Sequence, residues 1–107
     1  MAVCWVKAGI CGKETTIEAR KTSQTKVKVS FVTTCEHVQG LSEELVELDV
    51  GSEMTKPMNE TLVYALATKH LCRNSCIVPA AILKTMETTA GLFLPESCAI
   101  EFVEQAV

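Results

Sequence analysis

The sequence predicts an α+β domain, an antiparallel sheet of three to four strands with about three helices on one of its faces. Three observations predict it. Lys26-Val-Lys-Val-Ser-Phe-Val32 alternates apolar and polar residues, as a half-buried strand does. Val78, Ile82, Met86 and Ala90 recur every four residues, the spacing of one helix face. Strand-like segments come first, helix-like segments follow and a strand-like segment closes the chain, an order that segregates helices from strands.

Taken in order, residues 2 to 10 hold β-branched and aromatic residues in loose alternation and run into Gly9 and Gly12, which mark a turn. In residues 14–21, Ile17 and Ala19 face one way and Thr16, Glu18 and Arg20 the other, a second strand. Residues 21–25 are polar and join it to the alternating run as a hairpin, with Val27, Val29 and Phe31 inward. The outward Lys26 and Lys28 discourage edge association.

Thr33-Thr-Cys-Glu36 has the spacing of a capping box. The helix it opens is expected to carry Val38, Leu41, Leu45 and Leu48 on one face and Glu43, Glu44 and Glu47 on the other. Gly40 costs that helix about 1 kcal/mol relative to alanine unless close packing requires it. Residues 49–58, with Gly51, Ser52, Thr55 and Pro57, read as a loop. Asn59 is placed to cap a helix over 60–71 with Leu62, Val63, Leu66, Ala67 and Leu71 as its core stripe and His70 one turn past Leu66. Ser75 or Cys76 is placed to cap the next helix, with Pro79 in its first turn and Gly91 at its end. Cys98-Ala-Ile-Glu-Phe-Val103 reads as a last strand returning to the sheet.

The 107 residues, 48% of them hydrophobic, suffice for one domain with a core spanning 1–107. The net charge of -3, with acidic and basic residues intermixed, offers no basic stripe for nucleic acid. No run of about 18 apolar residues occurs and the start lacks a signal-peptide pattern, so the expected location is cytoplasmic, without a membrane partner. No serine-hydrolase elbow, P-loop or dinucleotide fingerprint occurs, and neither a general base nor a substrate pocket can be identified, which leans away from an enzyme.

Six cysteines in 107 residues fall below the roughly 8 to 10% of disulfide scaffolds. They read as reduced thiols, metal ligands or core residues. Cys35 and Cys76 stand at helix starts, where unpaired amides and the helix dipole favour a thiolate, and Cys11 sits in a glycine-flanked turn. Cys11, Cys35, His37 and Cys76 therefore form a candidate ligand set for zinc or an iron-sulfur cluster, with Cys72 as another fourth ligand. Cys72 and Cys76 are separated by three residues rather than the two of zinc knuckles. The competing reading is packing, since free cysteine behaves as a small buried hydrophobe. Cys4 and Cys98 fit it best, and His70 on its apolar stripe reads as a core histidine.

Cys76-Ile-Val-Pro-Ala-Ala-Ile-Leu-Lys84 and Ala90-Gly-Leu-Phe-Leu-Pro95 resemble a family of short uncharacterised proteins of anaerobic bacteria and archaea, with Ile77 where that family has proline. More remotely, Cys11-Gly12, Cys35 and Cys76 are similar in order and context to the cluster-holding cysteines of NifU/IscU-type iron-sulfur scaffold domains. Lys13 replaces the aspartate of their Cys-Gly-Asp turn, and Asn74-Ser-Cys-Ile-Val78 partly matches the small domain named for a Thr-Ser-Cys-Pro-Asp motif. The resemblance implies a scaffold-like sheet and helix arrangement with a thiol site at one end. The expected function is thus a metal- or iron-sulfur-binding cysteine cluster. The alternative is a non-catalytic protein-interaction or oligomerisation domain with structural cysteines. It is the better reading if Val38, Ile82 and Leu83 cover Cys35 and Cys76 with no cavity. The sequence specifies no partner and no oligomeric state.

Overall fold

A computed structural model describes residues 1–104 of the chain. The fold is α+β. Strands β1 (Ala2–Lys7), β2 (Glu14–Lys21), β3 (Lys26–Thr33) and β4 (Glu47–Asp49) form one antiparallel sheet in that spatial order. Helices α1 (Glu36–Glu44), α2 (Val50–Thr55), α3 (Leu62–His70) and α4 (Val78–Thr89) complete the regular elements, with a short 3-10 turn at Met58–Glu60. No helix among the described residues is long and apolar enough to cross a membrane.

The expected strand faces explain the sheet. Ile17, Ala19, Val27 and Val29 are buried, with Phe31 half-buried behind them. The register sets Ile17 opposite Phe31 and Ala19 opposite Val29, so apolar side chains meet in cross-strand rows on one face. α4 lies on β1 and β2, and α1 on β3, with α3 between the two helices. One buried cluster joins Ile17, Val27, Val38, Leu41, Leu45, Val63 and Ile82 across these layers. Each large aliphatic side chain buried there contributes about 1.5–3 kcal/mol.

Several boundaries differ from the sequence reading. β1 stops at Lys7 because Ala8 N–H donates to Lys13 O and Gly12 N–H to Gly9 O, closing a tight turn. That turn holds Gly9 at φ +104° and Gly12 at φ +72°, a region in which a side chain is strained. The first helix ends at Glu44 rather than running through Leu48. Leu45 is extended, and Leu48 enters β4, where it pairs with Val27. Both leucines are buried as the periodicity required, but β3 offered a free edge that continued helix could not use. Residues 50–55 are helical instead of looped, because Asp49 Oδ1 accepts the Ser52 amide at 2.9 Å and caps α2.

The caps differ too. Thr33 Oγ1 accepts from Cys35 N–H at 3.0 Å, so the capping box does not form and Cys35 itself is the N-cap of α1. α3 is capped by Thr61, not Asn59, with Glu53 also accepting from the Leu62 and Val63 amides. The N-cap of α4 is Ile77, with no side-chain cap, rather than Ser75 or Cys76, whereas Pro79 in the first turn and Gly91 at φ +80° past its end stand as the sequence indicates. The expected last strand is absent: residues 98–103 have no regular structure and are exposed. The apolar alternation there is real, but no strand among the described residues pairs with it. His70 is not enclosed in the core; it sits at the end of α3 and pairs through Nε2 with Glu44.

Candidate functional site

The C-terminal ends of β1 and β3, the start of β2 and the N-termini of α1 and α4 meet at one end of the sheet. Thr15 and Thr33 tie the strand ends together there by an Oγ1–Oγ1 hydrogen bond of 2.7 Å. Thr34 adds to this, its Oγ1 accepting from Glu14 N–H at 2.9 Å. These bonds fix the point at which the chain turns from β3 into α1.

A cavity of about 110 Å³ opens at this end. Cys11, Cys35, His37, Cys72 and Cys76 all line it. Cys11 comes from the glycine turn between β1 and β2, and Cys35 from the N-cap of α1. His37 lies in the first turn of α1. Cys72 and Cys76 come from the loop joining α3 to α4. Val38 and Val78 are buried and supply its apolar floor. Cys35 and Cys76 are half-buried against the core, whereas Cys11 and Cys72 are exposed. The two inner cysteines therefore face a cavity instead of being sealed beneath Val38, Ile82 and Leu83.

Charge is distributed unevenly around the thiols. Burial pushes the Cys76 thiol above its ordinary value. The Val78 amide donates to its sulfur and opposes that shift, while Cys35, Cys72 and Cys11 add to it by like-charge repulsion. The expectation that the helix start makes Cys76 a ready thiolate is thus corrected: desolvation outweighs the helix-end amide. Cys35, Cys72 and Cys11 therefore each lie close enough to Cys76 to disfavour its thiolate. Lys13 and Arg73 line the same cavity and bring cationic groups to its edge. Among the described residues, no group of three or more His, Cys, Asp or Glu side chains is disposed, as it stands, to hold a metal ion.

Sequence reasoning missed Arg73 and Ser75 as cavity residues, although their position between Cys72 and Cys76 in one loop placed them nearby. Thr15 also lines the cavity and is almost wholly buried; its signal was the inward phase it shares with Ile17. Of the cysteines expected to pack, Cys4 is half-buried against the core, but Cys98 is exposed.

No curated protein matches this chain, and no solved structure does. A family model described as a family of unknown function (DUF6951) matches residues 2–102.

Proposed function

Since the chain belongs to the DUF6951 family of unknown function, we propose its role from the pocket itself: a cytoplasmic, metal-binding domain that takes zinc or an iron-sulfur cluster. The ligands in this reading are Cys11, Cys35 and Cys76, with Cys72 or His37 as the fourth. The observation that carries it is that all five side chains, drawn from three separate stretches of chain, line one cavity.

The donor chemistry fits a soft cation. A Cys76 thiolate, disfavoured first by burial and then by its neighbouring thiols, is stabilised by a positive centre shared with them, and metal binding releases the ligands' protons. Val38 and Val78 keep one side of the site dry, which strengthens charge interactions within it. Lys13 and Arg73 offset the negative charge that several thiolates leave on a bound centre. Cys11 and Cys72 stand in a turn and a loop, so local backbone adjustment brings them toward the half-buried pair. The order of Cys11, Cys35 and Cys76 along the chain is also that of the scaffold domains.

Anaerobic purification followed by metal analysis and visible absorption spectroscopy tests the reading. The expected result is about one zinc per chain, or iron with sulfide and visible absorbance, lost when Cys35 and Cys76 are both replaced by serine. A colourless, metal-free protein whose thiols are all freely alkylated overturns it.

A second reading, a protein-interaction or oligomerisation domain, is supported by a different surface. Val3, Trp5 and Val32 are exposed together on the face of the sheet away from the helices, with Trp5 and Val32 both opposite Thr16.

A further inference from the structure

Among the described residues, the β1 edge of the sheet and residues 98–103 each lack a strand partner. β1 pairs with β2 on one side and, among the described residues, with no strand on the other. An antiparallel strand directs only half of its backbone groups to a single neighbour, so β1 presents a second row for pairing. Ala2 N–H is engaged by Thr89 Oγ1 at 3.1 Å, and the edge beyond it carries no charge until Lys7. Natural sheets usually guard an open edge with a central lysine, a proline or a bulge, none of which β1 has.

Residues 98–103 supply the complementary element. Ile100, Phe102 and Val103 are exposed, Phe102 completely. Ile100 and Phe102 fall on one side of an extended chain, with Ala99, Glu101 and Val103 on the other. Residues 98–102 of the segment lie within the stretch that matches the family, which runs to residue 102. The molecule measures 51 × 28 × 26 Å, longer along one axis than a closed domain of this size requires.

Charge is compatible with the same pairing: residues 92–104 contain Glu96, Glu101 and Glu104 and no lysine or arginine, and the one charged side chain of β1 is the exposed Lys7.

We propose that residues 98–103 of one copy add as a strand to the open edge of β1 in a second copy, reciprocally, forming a two-fold dimer. The reciprocal exchange uses the β1 edge and the 98–103 segment of both copies, so a single two-fold step closes on itself and leaves neither of these two elements over. Backbone hydrogen bonds supply affinity, and the apolar side chains at alternate positions supply register. This deepens the oligomerisation reading and is independent of whether the thiol cavity takes a metal.

Sedimentation equilibrium of the full chain in reductant tests it, alongside Phe102→Asp, Ile100→Asp and, as a control for general surface hydrophobicity, Met58→Asp. The expected result is a dimer whose dissociation constant rises about tenfold or more in Phe102→Asp and Ile100→Asp and is unchanged in Met58→Asp. Hydrogen exchange of the β1 amides that do not pair with β2 is expected to be slow in the dimer and fast in Phe102→Asp. A monomer at every concentration overturns the dimer, including one whose residues 98–103 are protected by pairing within their own chain. A dimer unaffected by both substitutions overturns the strand exchange while leaving the broader oligomerisation reading standing.

Discussion

The ring of His70 fills the space above Gly40: its Nδ1 lies 3.1 Å from the position a β-carbon on Gly40 would occupy. Glu44, one turn further along α1, holds the same ring through Nε2 and also accepts from Lys69 at 2.9 Å. The glycine that weakens α1 therefore admits the side chain that docks α3. Gly40→Ala is expected to give no gain, or a small loss, in the wild-type chain. With His70→Ala already present, the same change is expected to stabilise by up to about 1 kcal/mol, the helix-propensity difference. Urea unfolding of the four proteins measures the coupling; equal effects in both backgrounds would remove the contact from the account.

Glu44 also sets an acid-side dependence. Its hydrogen bonds from Lys69, then from His70, hold its carboxyl below the ordinary value of 4.5. A depressed carboxylate contributes stability that is complete above its unfolded-state pKa and is lost as pH falls through the folded one. The expected loss begins below about pH 4.5, is smaller in high salt because the group is exposed, and is reduced in Glu44→Gln. Thermal unfolding between pH 6 and pH 3 on the wild type and the variant measures it.

Cys76 should behave unlike Cys11. Its thiol is raised above 9.0, first by burial, and only the thiolate alkylates readily. Pulsed alkylation read by mass spectrometry is expected to label exposed Cys11 before Cys76 at neutral pH. Replacing Cys35 with serine is expected to lower the Cys76 pKa slightly, since repulsion by Cys35 is weaker than desolvation. Because the raised thiol is held neutral in the folded chain, its contribution is present below the unfolded pKa and lost as pH rises past it.

Glu53 is 7% exposed and joins α2 to α3, its two oxygens accepting from Leu62 N–H at 2.8 Å and Val63 N–H at 3.0 Å. Glu53→Ala leaves both amides at the start of α3 without that acceptor. A destabilisation of about 1–3 kcal/mol is expected. Glu53→Gln, which keeps one acceptor oxygen, is expected to lose less. Chemical denaturation with far-ultraviolet circular dichroism distinguishes them, and equal losses would show that shape rather than hydrogen bonding matters at this position.

Much of the candidate site was legible because its residues are marked locally. Cys11 is flanked by a glycine turn, and Cys35 and Cys76 stand beside helix starts. Their shared cavity was legible only as an expectation of convergence. Arg73 and Ser75 carry no pattern of their own. The ionisation of Cys76 was misread for a physical reason: the helix-end amide is a sequence-local effect, whereas desolvation depends on what packs around the sulfur from other elements.

The sequence by itself determined most of the buried side chains, though Leu62 and Cys98 are exposed, and the α+β order, because alternation and four-residue recurrence are properties of short segments. Ile17, Val27, Leu41, Leu45, Leu48, Val78, Ile82 and Met86 are buried where those patterns put them. Tertiary structure decided which element some of them occupy and which thiols meet. Leu48 satisfies a helix stripe and a strand face equally well, and the open edge of β3 selected the strand. Residues 98–103 have a strand's alternation but pair with no strand among the described residues, since a strand is completed only by backbone groups supplied from elsewhere.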